Sequence, residues 1–220
     1  MSEQNQAELH QPEEAASPVT SPATASPKPT LAAALFDILE IVVFAVCATI
    51  LLFALFFRIC RVDGSSMQHT LQNGETLVTS NLSRIEPGDI IIFHQTSDVY
   101  DRFNEALVKR VIATEGQTIR IDYEAGEVYV DGVLLDEPYV ALINQSGKHT
   151  GIWSLSPSLP GCYDRQTKTF EATVPDGCYF VMGDNRNNSA DSRSVEVGFV
   201  DARRVLGKAV IRLKPWTIFS

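Results

Sequence analysis

The sequence predicts an all-β domain, built as a partly closed β-barrel and preceded by one transmembrane α-helix. An apolar run near the N-terminus has the length of a membrane helix. After it, short apolar segments alternate with turns rich in Gly, Pro and Asp, as expected of β-strands. No long amphipathic helical pattern follows residue 62. We therefore divide the chain into a disordered tail, 1–30, a transmembrane helix, 31–58, and a β-rich domain, 59–220.

The tail is predicted to be disordered because of its composition. It holds five prolines, four glutamates and one lysine, and it has no aromatic residue. Such a segment cannot bury enough apolar surface to offset the entropy lost on ordering. The chain as a whole has 220 residues, of which 45% are hydrophobic, and this is sufficient for one domain with its own core.

The apolar run is unbroken over residues 41–57 except for Thr49, and residues 31–40 lengthen it. Asp37 and Glu40 lie three positions apart, hence on one helical face, near enough to the end to reach lipid headgroups. A secretory signal peptide fits less well, because the run is too long, begins late and has no basic start. A buried core helix is the other alternative to the single transmembrane span that we predict.

The charges beside this run bear on its orientation. Lys28 precedes it as the one lysine of the tail, whereas Arg58 and Arg61 follow it directly. The positive-inside rule, applied to so few charges, places the C-terminal domain in the cytoplasm. The function inferred below requires the opposite orientation, and we adopt that one.

Turn sequences place the strands of the β-rich domain. Residues 127–134 alternate around Asp131-Gly132, which is a strong hairpin signal. A Gly-Asp turn precedes the apolar residues 90–93, and a Pro-Asp-Gly turn precedes the apolar residues 178–182. These patterns predict antiparallel strands joined by short turns.

Charge and cysteine content exclude two classes of site. A net charge of −9 and a pI near 4.9 argue against a nucleic-acid partner, because no basic excess exists to neutralise phosphates. The four cysteines form no CxxC pair and have no histidine at zinc-finger spacing, so no metal site is predicted. In an oxidising compartment Cys162 and Cys178 could form a disulfide. Their spacing does not distinguish this disulfide from two free thiols.

Three segments carry residue types suited to catalysis, although each could also have an ordinary structural role. Residues 62–71 place Ser65 and Ser66 in a loop just past the apolar run, where a flexible turn is the simpler interpretation. Residues 183–193 hold two Asp, two Arg, two Ser and three Asn after a predicted strand, and this composition also suits a polar surface loop.

The remaining segment is a predicted strand with a lysine in its middle. Lys109 lies between Leu107 and Val111 on one strand face, so this face is expected to be buried. Burial removes the hydration of an ammonium group and lowers the lysine pKa from about 10.4. A lysine that is neutral near pH 7 can act as a general base.

Together and in this order, the segments resemble the type I signal peptidases, the Ser/Lys proteases of peptidase family S26. Ser66-Met67 resembles the segment that bears the family's nucleophile, and Lys109-Arg110-Val111 resembles its general-base strand. Residues 183–193 match its signature Gly-Asp-Asn-x-x-x-Ser-x-Asp-Ser-Arg, the most specific part of a resemblance that covers about residues 35–213.

The resemblance implies a membrane-bound serine endopeptidase that removes signal peptides from translocated precursor proteins. Cleavage would follow small residues at positions −1 and −3, with Ser66 as nucleophile and Lys109 as general base. The implied partners are secretory precursors and the lipid bilayer, with no nucleic acid, metal or cofactor. The protein would be single-pass in the cell membrane, with a cytoplasmic N-terminal tail and an extracytoplasmic catalytic domain.

Supporting roles follow from the same resemblance. Ser189 would hydrogen-bond and orient the Lys109 amine, Asp191 and Arg193 would form a supporting ion pair, and Gly183 would leave room beside the lysine. For the substrate pockets, Met67 and Ile85 are the candidates.

The chain departs from the family pattern at two positions. His69 stands where the family commonly has proline, which fixes the backbone more rigidly. Gly64 stands where some members have a serine that helps to bind the oxyanion. The oxyanion hole would then depend mainly on the Ser66 backbone N–H, with Ser65 no certain substitute.

Two rival functions remain at this stage. The self-cleaving domains of SOS-response repressors use a related Ser/Lys pair, but they carry a helical DNA-binding domain where this chain has a tail and an apolar run. An inactive, membrane-tethered β-rich binding module is the second rival, and the presence of both Ser66 and Lys109 argues against it.

Overall fold

A computed structural model describes residues 30–95, 105–140, 159–213 and 216–219. Its contacts divide the chain into two units, Met1–Cys47 and Ala48–Ser220. The predicted disordered tail lies, except for Thr30, outside the described residues.

One helix, α1, runs from Leu31 to Phe56 and buries none of its side chains. Its first turn is capped by Thr30, whose Oγ1 accepts a hydrogen bond from the Ala33 N–H at 3.3 Å. Its 26 residues extend about 39 Å, and their length and composition suffice to cross a membrane. The helix ends two residues before the predicted boundary, because Phe57 and Arg58 already pair with a β-strand.

The β-strands of the described residues form two antiparallel sheets. The larger sheet has the order β1-β2-β12-β3-β4-β10-β11, with β13 paired to β12, and the smaller has the order β7-β6-β5-β9-β8. Within the described residues the larger sheet does not close into a complete barrel, because β1 and β11 lie at the two ends of its strand order. The predicted fold, a β-rich and partly closed barrel that follows one apolar helix, is confirmed. The strands are β1 (Phe57–Arg61), β2 (Thr76–Ser80), β3 (Ile90–Gln95), β4 (Glu105–Thr114), β5 (Thr118–Asp122), β6 (Glu127–Val130), β7 (Val133–Leu134), β8 (Tyr163–Asp164), β9 (Thr169–Thr173), β10 (Cys178–Met182), β11 (Val200–Asp201), β12 (Val205–Leu213) and β13 (Trp216–Ile218).

Strand β3 is central in the larger sheet and is covered on both faces. Ile90 and Ile92 pack in one apolar cluster, which includes residues of the β1–β2 loop. Ile91 and Phe93 point to the other face and pack in a second cluster. A strand that is buried on both faces has no polar face to display, which is why β3 begins as a continuous apolar run.

The smaller sheet buries one face and exposes the other. In β5, Ile119 and Ile121 are buried whereas Arg120 between them is exposed. The predicted hairpin is confirmed: Val130 pairs with Val133. A short loop of two residues, both with positive φ, joins these strands, as expected of a tight hairpin turn.

The two cysteines of the β-rich domain whose pairing was left open are separate. Cys162 and Cys178 are both free thiols. They pack against the apolar cluster of the smaller sheet, where they behave as small hydrophobic side chains.

Candidate active site

Ser66 lies in the loop between β1 and β2, held between two buried apolar side chains. Val62 and Met67 on either side of it pack in the same apolar cluster. Gly64 has a φ of +94°, a conformation that L side chains rarely adopt. Its N–H donates to Asn73 Oδ1 at 3.1 Å, which closes the turn. This backbone therefore favours glycine at position 64 and disfavours the serine found in some family members.

Lys109 lies in the middle of β4, and its amine reaches Ser66. Nζ is 2.9 Å from Ser66 Oγ and donates a hydrogen bond to the Val108 carbonyl, also at 2.9 Å. The side chain is buried, with 3% exposure, as the strand pattern predicted. The structure thus joins the two residues across 43 positions of sequence.

Burial sets the protonation of this amine. Loss of hydration lowers the pKa of Lys109 from 10.5 to about 8. The negative charges of Asp191, Glu105 and Asp184 act in the opposite direction and limit the fall. Near pH 8 a substantial fraction of the amine is neutral, and this neutral form can take a proton from the Ser66 hydroxyl.

A cleft of about 280 Å³ adjoins this pair. One wall comes from residues 61–64 and 66–67, including Met67, and the other from residues 105–109 of β4. Strand β10 pairs with β4 only from Arg110 onward, so residues 105–109 have a strand neighbour, β3, on one side alone within the described residues. An open strand edge offers backbone hydrogen bonds to an extended peptide.

The loop at residues 183–193 closes over the nucleophile segment. The Asn185 N–H donates to the Ser66 carbonyl at 3.0 Å, and Asn185 Nδ2 donates to the Ser65 carbonyl at 3.1 Å. Asn188 Nδ2 donates to Ser65 Oγ at 2.8 Å. The most specific signature in the sequence therefore contacts the serine segment through its asparagines.

Gly183 leaves space for the Ser66 backbone and for Ser189. A Cβ at this position would lie 2.5 Å from the Ser66 carbonyl oxygen and 2.6 Å from Ser189 Cβ. The atoms nearest to such a Cβ thus belong to Ser66 and Ser189. Ser189 is buried, and among the described residues its hydroxyl makes no hydrogen bond to Lys109. It lies instead beside Asp191, where it helps to lower the pKa of that carboxyl.

Arg193 and Asp191 form the expected ion pair. Arg193 Nε donates to Asp191 Oδ1 at 2.8 Å, and Nη2 donates to Oδ2 at 2.9 Å. Asp191 Oδ2 also accepts from the Gly183 N–H at 3.0 Å. Desolvation raises the pKa of Asp191, but the charge and hydrogen bonds of Arg193 outweigh it and hold this pKa below its usual range.

Two further ion pairs hold the loop, and sequence reasoning missed both. Arg110 forms a bidentate pair with Asp184, through Nε at 2.9 Å and Nη2 at 2.7 Å. Arg186 pairs with Glu137, with Nη1 donating to Oε2 at 2.8 Å. The position of Arg110 next to the general-base candidate was a usable signal, whereas nothing in the sequence links Glu137 to the loop.

Two other features complete the comparison with the sequence. Ile85 lies apart from the cleft, in a separate cavity of about 610 Å³ beside Tyr179, so the structure does not bring it to Ser66. The described part of the chain holds no group of three or more His, Cys, Asp or Glu side chains arranged to bind a metal ion.

Comparison with known proteins identifies the family. The sequence profile described as signal peptidase, peptidase S26, matches residues 35–216. Signal peptidase I of Bacillus caldolyticus is 36% identical over 180 residues, covering 80% of this chain and 90% of the relative. Signal peptidase I of Bacillus amyloliquefaciens is 34% identical over 171 residues, covering 76% and 78%.

A crystal structure of a signal peptidase I from Enterococcus faecalis is 31% identical and covers 58% of this chain and 98% of that one, with a TM-score of 0.42. The assignment depends on the profile and on the sequence relatives, and it confirms the resemblance found in the sequence. The chain belongs to the signal peptidase family, peptidase S26, and is a serine endopeptidase of the type I signal peptidase class.

Proposed function

We propose that this chain removes signal peptides from secretory precursor proteins, with Ser66 as nucleophile and Lys109 as general base. Family membership supports the substrate class. One observation carries the assignment of the pair: Lys109 Nζ lies 2.9 Å from Ser66 Oγ, and burial keeps its pKa near 8. A serine hydroxyl is a weak nucleophile until such a base takes its proton.

The reaction would proceed in two stages. Neutral Lys109 takes the Ser66 proton as Oγ attacks the scissile carbonyl, whose π electrons move onto oxygen to give a tetrahedral oxyanion. The intermediate collapses, the C–N bond breaks, and Lys109 returns its proton to the leaving amine. A water molecule then attacks the acyl-enzyme, again with Lys109 as base, and releases Ser66 and the carboxyl product.

The oxyanion is assigned to the Ser66 backbone N–H. Gly64 supplies no side-chain donor, and the Ser65 hydroxyl oxygen accepts a hydrogen bond from Asn188 Nδ2, so we take the backbone N–H of the nucleophile as the main donor. The nucleophile's own N–H serves this purpose in other serine proteases. Removal of one such donor costs roughly 100- to 1,000-fold in kcat.

The substrate would bind as an extended strand along the open edge of β4. This mode supplies backbone hydrogen bonds irrespective of sequence, and shallow pockets would then select small residues at −1 and −3. Met67, in the wall of the cleft, is the pocket residue that we retain.

We place the protein at the membrane. The helix α1 would anchor it, with tail 1–30 in the cytoplasm, segment 31–58 in the bilayer and domain 59–220 outside. The length and apolar composition of α1 support the anchor, and the location of secretory precursors during export supports the orientation. External protease added to intact cells should digest the 59–220 domain; digestion of tail 1–30 alone would reverse the orientation.

The catalytic assignment is tested by comparing wild type, Ser66→Ala and Lys109→Ala on a secreted precursor in liposomes. Wild type should cleave after a small residue, at a rate that rises with pH through about 8. Both variants should lose this activity. Cleavage by either variant at the wild-type rate would contradict the assignment. An inert but folded wild type would favour the binding-module alternative.

A further inference from the structure

Asn185 contacts both carbonyl groups that flank the nucleophile's peptide nitrogen. Its backbone N–H binds the Ser66 carbonyl at 3.0 Å, and its side-chain Nδ2 binds the Ser65 carbonyl at 3.1 Å. The side chain is 3% exposed. Its Oδ1 has no partner among the described residues, so the amide contributes here as a donor.

The Ser65 carbonyl and the Ser66 N–H are the two ends of one peptide group. A trans peptide is planar, and its C=O and N–H point in opposite directions. The Ser65 oxygen accepts two hydrogen bonds, from Asn185 Nδ2 and, at 3.2 Å, from the Gln68 N–H, and together they fix the direction of the Ser66 N–H. A carbonyl that accepts a hydrogen bond also polarises its peptide group and makes the N–H a stronger donor.

The loop that carries Asn185 is held by its neighbours on both sides. Asp184 forms the bidentate ion pair with Arg110, and Arg186 pairs with Glu137 and donates from Nε to the Gly183 carbonyl at 3.2 Å. Asn185 is thus a rigid support, which is what a preorganised donor site requires.

From this geometry we infer that Asn185 is a positioning residue, which orients the Ser65–Ser66 peptide group so that its N–H binds the developing oxyanion. The inference relies on the proposed function, because it takes Ser66 as the nucleophile. Asn185 does not touch the substrate; it acts through the peptide. Its contribution should therefore appear in the tetrahedral state and be absent from substrate binding.

The test compares full-length wild type, Asn185→Ala and Asn185→Asp in detergent micelles. Two readouts are the cleavage kinetics of a precursor peptide and the affinity for a peptide aldehyde with the same residues before the scissile bond. Ser66 Oγ adds to the aldehyde carbon, its proton passes to Lys109, and the carbonyl oxygen becomes an oxyanion. This adduct reproduces the tetrahedral state without a leaving group.

Both variants should lose about 10- to 100-fold in kcat, and a similar factor in aldehyde affinity, because the N–H is misplaced. In Asn185→Ala, KM and the pH midpoint near 8 should stay as in wild type, since neither the cleft nor Lys109 changes. In Asn185→Asp the new carboxylate should raise the pH midpoint, because a nearby negative charge favours the protonated amine. Asn188→Ala is the matched control: it removes a hydrogen bond to the Ser65 side chain rather than to its carbonyl, and its effect should be much smaller.

Other outcomes overturn the inference. Wild-type kcat and aldehyde affinity in both Asn185 variants would show that the contact has no effect on the oxyanion. A rise in KM with an equal loss of affinity for an uncleavable peptide, or loss of the native fold in both variants, would make the role purely structural. Cleavage by Ser66→Ala, or a wild type that forms no adduct, would instead contradict the proposed function.

Discussion

The two sheets of this protein bury different kinds of side chain. In the described parts of the smaller sheet, β5 to β9, the buried residues are apolar, such as Ile121 and Phe170, and charges lie on the outer face. The larger sheet and the 183–193 loop also bury ionised residue types, namely Lys109, Asp184, Arg186, Asp191 and Arg193. The smaller sheet is therefore held by apolar packing, which it shares with Phe180 and Met182 of β10, whereas the region around Ser66 holds charge at a cost in stability.

The buried cations differ in one decisive respect. Arg186 and Arg193 each have a carboxylate partner, which offsets part of their desolvation. Lys109 is the one buried cation without an ion pair in the described chain, and its pKa falls in consequence. Pairing keeps the arginines charged and structural, whereas the lack of a pair leaves the lysine able to exchange a proton. Variants of paired and unpaired charges should therefore differ in stability and in activity.

Asp191→Ala should have the largest effect. It removes the carboxylate that pairs with the buried Arg193 guanidinium, and loss of one partner of a buried ion pair typically costs about 3–5 kcal/mol of unfolding free energy. It also removes the acceptor of the Gly183 N–H, so activity should fall too. Urea unfolding followed by circular dichroism measures the loss. The double variant with Arg193→Met is the control, and it should recover part of the lost unfolding free energy. Equal stability of Asp191→Ala and wild type would show that the ion pair does not offset the burial of Arg193.

Lys109→Met should stabilise the protein at neutral pH while it abolishes cleavage. The pKa of Lys109, lowered from 10.5 to about 8, corresponds to about 3 kcal/mol of cost for the charged form in the folded protein. Between these two pH values the unfolded chain binds more protons, so wild-type stability rises with pH.

The stability gain of Lys109→Met should therefore be present below pH 8 and disappear by pH 10.5, reduced throughout by the two lost hydrogen bonds. Urea unfolding at pH 7 and pH 10.5 measures it. Lys168→Met, at an exposed lysine, is the matched control. A variant less stable than wild type at pH 7 would show that Lys109 is not buried at a cost.

Gly183→Ala should reduce kcat by about 100-fold, because the added Cβ would displace the Ser66 carbonyl and Ser189. Gly177→Ala is the control for adding a methyl group where there is space. Its Cβ would meet no atom within 4 Å, although its φ of +68° disfavours a side chain. Similar kcat values for the two variants would show that the close approach at Gly183 is unimportant.

Ile121→Val removes one methyl group from the core of the smaller sheet and should cost about 1 kcal/mol of unfolding free energy. Its kcat should match wild type, because no charge of the active-site region changes. A loss of kcat larger than the loss of folded protein, measured at the same temperature, would mean that the smaller sheet also positions the site.

Lys168→Ala should have the smallest effect. Its ion pair with Glu124, at 2.9 Å, joins two exposed side chains, and solvent screens such a pair. The thermal midpoint and kcat should both equal those of wild type. A measurable fall in thermal midpoint would show that exposed charges support the smaller sheet more than its apolar face indicates.

Much of this arrangement was predictable from local sequence. The period of the apolar residues predicted α1 and the strands, and Asp131-Gly132 predicted its hairpin, because these elements depend on neighbouring residues. The burial of Lys109 followed from Leu107 and Val111 on the same strand face. The family resemblance supplied the pairing of Lys109 with Ser66.

What local sequence could not supply were the contacts between distant segments. Glu137 and Arg186 lie 49 positions apart, and their pairing depends on how the two sheets are connected. The resemblance pointed to a bond between Ser189 and Lys109, and the backbone around Gly183 instead packs Ser189 against the Ser66 segment. Ile85 was assigned to the cleft because apolar character alone does not indicate which cavity a side chain enters.

The class of each segment and the chemical groups available follow from short stretches of sequence, since periodicity, turn residues and side-chain types are local properties. The tertiary structure alone decided that Asn185 supports the Ser66 peptide and that Lys109 has no carboxylate partner in the described chain. Both depend on distances of about 3 Å between segments far apart in the chain. Such distances are fixed only when the strands have packed, because packing determines which buried polar groups find partners.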